Sequence, residues 1–153
     1  FGIDPSEDAC GLTACCALCC ICASSFNIGL SGTGPLHNNA VARQLGPGGR
    51  RYGKGLYFSK HSNKSHEYAR DTERVFNGER HRLMLLCKVA EGNRHMMSQQ
   101  RMDENEVHQL LSRGSFDSVV AEGQGVGPLN FHEVVVYKEM AALPSYIIVY
   151  KPP

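Results

Sequence analysis

RYGKGLYFSKHSNKSHEYA, residues 51 to 69, is the stretch on which the reading of this chain turns. Gly53 and Gly55 flank Lys54 and let the backbone turn tightly and approach a neighbour closely, because neither carries a Cβ. Leu56 to Ser59 reads as a strand that carries Tyr57 and Phe58. Ser62 reads as the N-cap of a helix running to about Phe76, with Asn63 and Lys64 as its first residues. At helical spacing His61, Ser65 and Tyr68 share a face. Tyr57, Ser65 and Tyr68 thus offer two aromatic walls and a hydroxyl, which suit a planar, amide-bearing heterocycle. By spacing alone the plainer reading is favoured, in which Tyr57 and Phe58 are core aromatics and Ser62 is only a cap.

Outward from this segment the chain reads as one domain. It has 153 residues, enough for a hydrophobic core. A formal charge of +1 excludes a strong field for nucleic acid or anionic lipid. Residues 29 to 51 read as a glycine-rich loop of a length that suits a mobile lid, with a short helical patch near Val41. The apolar run 82–90, RLMLLCKVA, reads as a strand, and 103–113 as a short polar helix or turn. FDSVVA (116–121), NFHEVVVY (130–137) and YIIVY (146–150) read as further strands. Four or five strands with two or three short helices predict a mostly antiparallel α+β domain.

In NFHEVVVY, strand alternation puts Phe131, Glu133, Val135 and Tyr137 on one face and His132, Val134 and Val136 on the other. A carboxylate in a β-branched strand is unusual. Glu133 suits a catalytic or sugar-hydroxyl-binding role, although taken alone a solvated edge charge is the plainer reading. His37, His81, His95 and His108 read as surface residues, and Arg50, Arg51 and Lys54 as a solvated loop.

Six of the seven cysteines fall between residues 10 and 22. Cys16-x-x-Cys19-x-x-Cys22 has zinc-compatible spacing, but no second separated pair accompanies it, so packing in a buried helix over about 10–26 is favoured over metal. The odd count and the adjacent pairs fit an intracellular, reducing compartment, nuclear or cytoplasmic. No run is long and apolar enough to span a bilayer.

As an ordered set, Tyr52 to Ser59, then Ser62-Asn63-Lys64-Ser65 and Tyr68, then RLMLLCKVAEG, FDSVVAEG, GPLNFHEVVVY and ALPSYIIVY, resemble the catalytic domain of the poly(ADP-ribose) polymerases over roughly residues 50 to 150. The resemblance implies an ADP-ribosyltransferase-like fold with a mostly antiparallel split sheet and short flanking helices. It implies NAD as a consumed substrate. Gly55, Phe58 and Ser59 fall in its nicotinamide-binding segment. Tyr57 matches the tyrosine that stacks on the nicotinamide, Ser65 the serine that bonds the carboxamide, and Tyr68 the second aromatic wall. Lys64 matches a lysine near the reacting ribose, and Glu133 the catalytic glutamate that bonds a hydroxyl of that ribose. The acceptor is left open among a protein side chain, a nucleic-acid end and an ADP-ribose already attached. The family's active site also holds a histidine in a His-Gly pair on an upstream strand. No His-Gly dipeptide occurs here, and with Phe1 as its first residue the chain reads as a piece lacking that strand. Three readings stand at this stage: a transferase, a non-catalytic module of the same fold, and a zinc-stabilised interaction domain.

Overall fold

A computed structural model of the chain describes residues 17–32, 50–69, 73–97, 101–123 and 132–153. Among them are helices α1 (Ala17–Ser24), α2 (Ser62–Tyr68) and α3 (Glu104–Ser112). The strands are β1 (Leu56–Phe58), β2 (Arg74–Phe76), β3 (Glu79–Val89), β4 (Arg94–Met97), β5 (Ser118–Ala121), β6 (Glu133–Val136) and β7 (Ala142–Tyr150). The expected mixed α+β architecture with a split sheet is what forms. One sheet has the order β1-β6-β5-β4 and the other β2-β3-β7. All pairings are antiparallel except β4 with β5, which run parallel with α3 as the crossover between them.

Burial follows strand position. β5 and β6 lie inside the first sheet and are buried along their whole length, in keeping with runs that are small or β-branched except at Glu133. Each fully buried valine there contributes about 1.5–3 kcal/mol relative to exposure. Alternation along β6 divides the core in two. Val135 joins Tyr52, Met102, Val107, Phe116, Val119 and Ala121 on one face, with Tyr57 and Tyr137 packed against them. Val134 and Val136 join Leu56, Val120 and Ala142 on the other, with Phe26, Ile28, Phe58 and Val89 against them.

Several sequence expectations are corrected. α2 ends at Tyr68 rather than near Phe76, and its N-cap is His61, one residue earlier than Ser62. Arg74–Phe76 is a strand, turned back into β3 by Asn77 and Gly78 at φ 50° and 78°. A two-residue Asn-Gly turn with both φ values positive matches the twist of a hairpin. β4 was not foreseen, and the described strands number seven rather than four or five. α1 buries no residue, so it is not the buried helix expected over 10–26; residues 10–16 lie outside those described. Likewise the loop and lid expectation for 33–49, and the places of His37 and Phe131, lie outside the described residues. His95 is half-buried, with its ring 5.2 Å from that of Phe116. Among the described residues no helix is long and apolar enough to cross a membrane.

Candidate active site

The site is built on β1, β6 and α2, and on a strap of residues 51–55 that leads into β1. Gly53 takes φ 72°, a left-handed value that favours glycine. Gly55 is required by closeness instead: a Cβ there would lie 2.6 Å from Val135 Cγ1 and 3.0 Å from the Val136 carbonyl oxygen. The strap therefore lies directly on β6. β1 then pairs with β6, Phe58 opposite Val134, and releases the chain into α2. Ser59 secures this exit, because its hydroxyl donates to the His132 carbonyl at 2.7 Å and accepts from the His61 N–H at 3.2 Å.

Glu133 is the first residue of β6 and is 8 % exposed. A solvated edge charge is thus excluded: β6 is an interior strand, and Glu133 sits opposite Ala121 of β5. Its Oε1 lies 3.2 Å from Lys64 Nζ. Its Oε2 is buried and has no hydrogen-bond partner among the described residues. A buried carboxylate oxygen without a donor is costly, and such an atom in a native fold points to a ligand donor or an ordered water.

Lys64 also approaches Tyr68, with Nζ 5.2 Å from the ring centroid, within cation–π range. Tyr68 is 48 % exposed, so part of its side chain meets solvent. Ser65 is half-buried on the same helix. Glu133, Lys64 and Tyr68 are therefore brought together. Tyr57 is half-buried against the core, and its hydroxyl is engaged: it donates to the Gly53 carbonyl at 2.8 Å and accepts from the Tyr52 N–H at 3.0 Å. Burial pushes the Tyr57 phenol well above its ordinary range. Tyr52 is pushed up to about 12, by burial first and then by the nearby negative charge of Glu133. Phe58 turns to the other face, where it meets Phe26 edge-on at 5.4 Å.

The loop cations are only partly solvated, since Arg50 pairs with Glu104 at 3.7 Å. Cys19 and Cys20 are disulfide-bonded, so Cys19 is no thiolate and the zinc-spaced triad is not assembled here. Cys22 and Cys87 are free thiols. Among the described residues no group of three or more metal-ligating side chains occurs. Sequence reasoning passed over Tyr52 and gave Tyr137 no role beyond its face. The Tyr137 hydroxyl donates to the Tyr52 carbonyl at 2.6 Å, a contact between residues 85 apart that no local pattern announces.

Compared with known proteins, no curated protein matches the chain. A family model described as the poly(ADP-ribose) polymerase catalytic domain matches residues 34–152.

Proposed function

Because this chain belongs to the poly(ADP-ribose) polymerase catalytic domain family, we propose that it is an NAD-dependent ADP-ribosyltransferase whose working carboxylate is Glu133. In this reading the bond between nicotinamide and ribose breaks, nicotinamide leaves with the electron pair, and the acceptor's nucleophile takes the ADP-ribose and gives up a proton. The transition state is oxocarbenium-like, as in glycoside cleavage. Glu133 Oε2 accepts the ribose hydroxyl and places negative charge beside the developing positive charge, an electrostatic and positional role. Lys64 holds the other carboxylate oxygen. Tyr68 and Tyr57 flank the leaving ring, and Ser65 bonds its amide. The acceptor is a protein side chain, a nucleic-acid end or an attached ADP-ribose.

One observation carries this reading. Glu133 is a buried carboxylate with one oxygen paired to Lys64 and the other without a partner among the described residues, and the same Lys64 approaches the half-exposed Tyr68 ring. The test is nicotinamide release and transfer of labelled ADP-ribose from NAD, for the complete wild-type protein and its Glu133→Gln variant. The variant is expected to lose at least ~10²-fold in turnover, as when a single electrostatic group is removed from an active site. Near-normal turnover in that variant would sink the reading. The alternative from another class is a binding module of the same fold. The same assay separates the two, since a module would bind NAD or nicotinamide and release nothing.

A further inference from the structure

The strap between Arg51 and Gly55 is held by its carbonyls, each by a different donor residue. The Met102 N–H donates to the Arg51 carbonyl at 2.8 Å. The Tyr137 hydroxyl donates to that of Tyr52 at 2.6 Å, and the Tyr57 hydroxyl to that of Gly53 at 2.8 Å. The Ser31 hydroxyl donates to that of Gly55 at 2.7 Å. Tyr52 is gripped at both ends of its backbone, because its N–H also donates to the Tyr57 hydroxyl. Its side chain is fully buried.

Tyr137 is central to this arrangement. It stands two residues beyond Val135 on the face that begins with Glu133, and its ring lies 5.9 Å from that of Phe116. A Cβ at Gly55 would come within 3.2 Å of its ring edge, so the ring bounds the strap at Gly55 while the hydroxyl holds it at Tyr52. For packing on Phe116 and Val135 a phenylalanine would serve equally well. What the hydroxyl adds is the bond to the strap. Burial raises the Tyr137 phenol above its ordinary range, so it stays a donor at any physiological pH.

We infer that Tyr137 is a positioning residue for the transferase site: its hydroxyl fixes the strap against β6, and the strap in turn sets β1, Tyr57 and the entry to α2 relative to Glu133. This role rests on the transferase reading above. It assigns one strand two tasks. β6 presents the carboxylate at Glu133, and just past its end it positions the wall that receives the leaving ring.

The test is Tyr137→Phe, read in two ways. Steady-state kinetics with NAD should show KM raised roughly five- to tenfold, the size of one lost neutral hydrogen bond, with kcat within about twofold. Hydrogen exchange should speed up at the Tyr52 and Met102 amides and stay unchanged at Val119 and Val135. Incorporating 4-aminophenylalanine at position 137, which keeps an N–H donor in the same place, should restore KM. Ser31→Ala, which loosens the strap at its Gly55 end, should raise KM in the same direction and serves if the Phe variant folds poorly.

A Phe variant with unchanged KM overturns this role while leaving the transferase reading intact, even if strap exchange speeds up, since the hydroxyl would then serve stability alone. A variant that loses kcat as Glu133→Gln does, at unchanged KM, overturns it as well. A complete wild-type protein that turns over no NAD overturns the transferase reading first, and this role with it.

Discussion

Lys64, the third residue of α2, reaches Glu133 on β6 at 3.2 Å, with both side chains largely buried. The pair ties the helix to the sheet at the point where the candidate carboxylate stands. Removing one partner of a buried pair leaves an uncompensated charge, which costs more than the pair itself contributes. Lys64→Met is therefore expected to destabilise the fold by up to ~3 kcal/mol. The double variant Lys64→Met with Glu133→Gln should recover most of that loss. Urea unfolding of the four proteins of the cycle measures it, and additive effects would show that the two groups do not interact.

Gly55→Ala should be destabilising without any change in backbone preference. The new Cβ would meet Val135 Cγ1 at 2.6 Å and the Val136 carbonyl at 3.0 Å, in an interior strand that cannot retreat. Overpacking of this kind costs about 1–3 kcal/mol. Thermal melting should show it, and Gly55→Ala with Val135→Ala should regain part of it.

Gly78→Ala should behave differently. A Cβ at Gly78 has open space around it, but φ is 78°. The cost is the left-handed backbone alone, about 1–2 kcal/mol. Because β2 is short and exposed, the effect should appear as faster amide exchange in β2 and the start of β3, with little change at β5 or β6.

His132 supplies a pH dependence. It is 7 % exposed, and neither ring nitrogen has a partner among the described residues. Burial first, then Lys60 and His61, lower its pKa below the ordinary 6.5, against the opposing pull of Glu91 and Glu122. The folded state thus holds its proton less tightly than the unfolded chain does. The stability this represents is complete above pH 6.5 and is lost progressively as pH falls from there toward the depressed folded value. His132→Phe should flatten the fall in stability that begins as pH drops below the ordinary 6.5, as measured by urea midpoints. An unchanged slope would assign the acid loss to other groups.

What the sequence made legible was what repeats at short range. The two-residue period of β6 correctly separated Val135 and Tyr137 from Val134 and Val136, and the start of α2 was placed within one residue. The end of α2 was missed because residues 62–76 are mostly polar, so no apolar period breaks where the helix stops. The hairpin signal sits in Asn77-Gly78, a local turn pair rather than an apolar period. β4 is four residues, Arg-His-Met-Met, whose extended form comes from pairing with β5 rather than from propensity. In the site, residue types were legible but their joining was not. Lys64 and Glu133 meet across an intervening 68 residues, and only the closed sheet decides that a glutamate which reads as an edge charge is in fact interior.

The alternation of β6 makes the site tolerant of softening and intolerant of slippage. Ala121 faces Glu133 and Val119 faces Val135 in a fixed register. A shift of β6 by a single residue would bring His132 or Val134 to the place of the carboxylate and, in the same movement, carry the Tyr137 hydroxyl away from Tyr52. Carboxylate and strap anchor would be lost together. Damage to this strand should divide a population into competent and dead molecules rather than lower every molecule's rate, so titrating the fraction of occupied sites would expose it where an averaged rate would not.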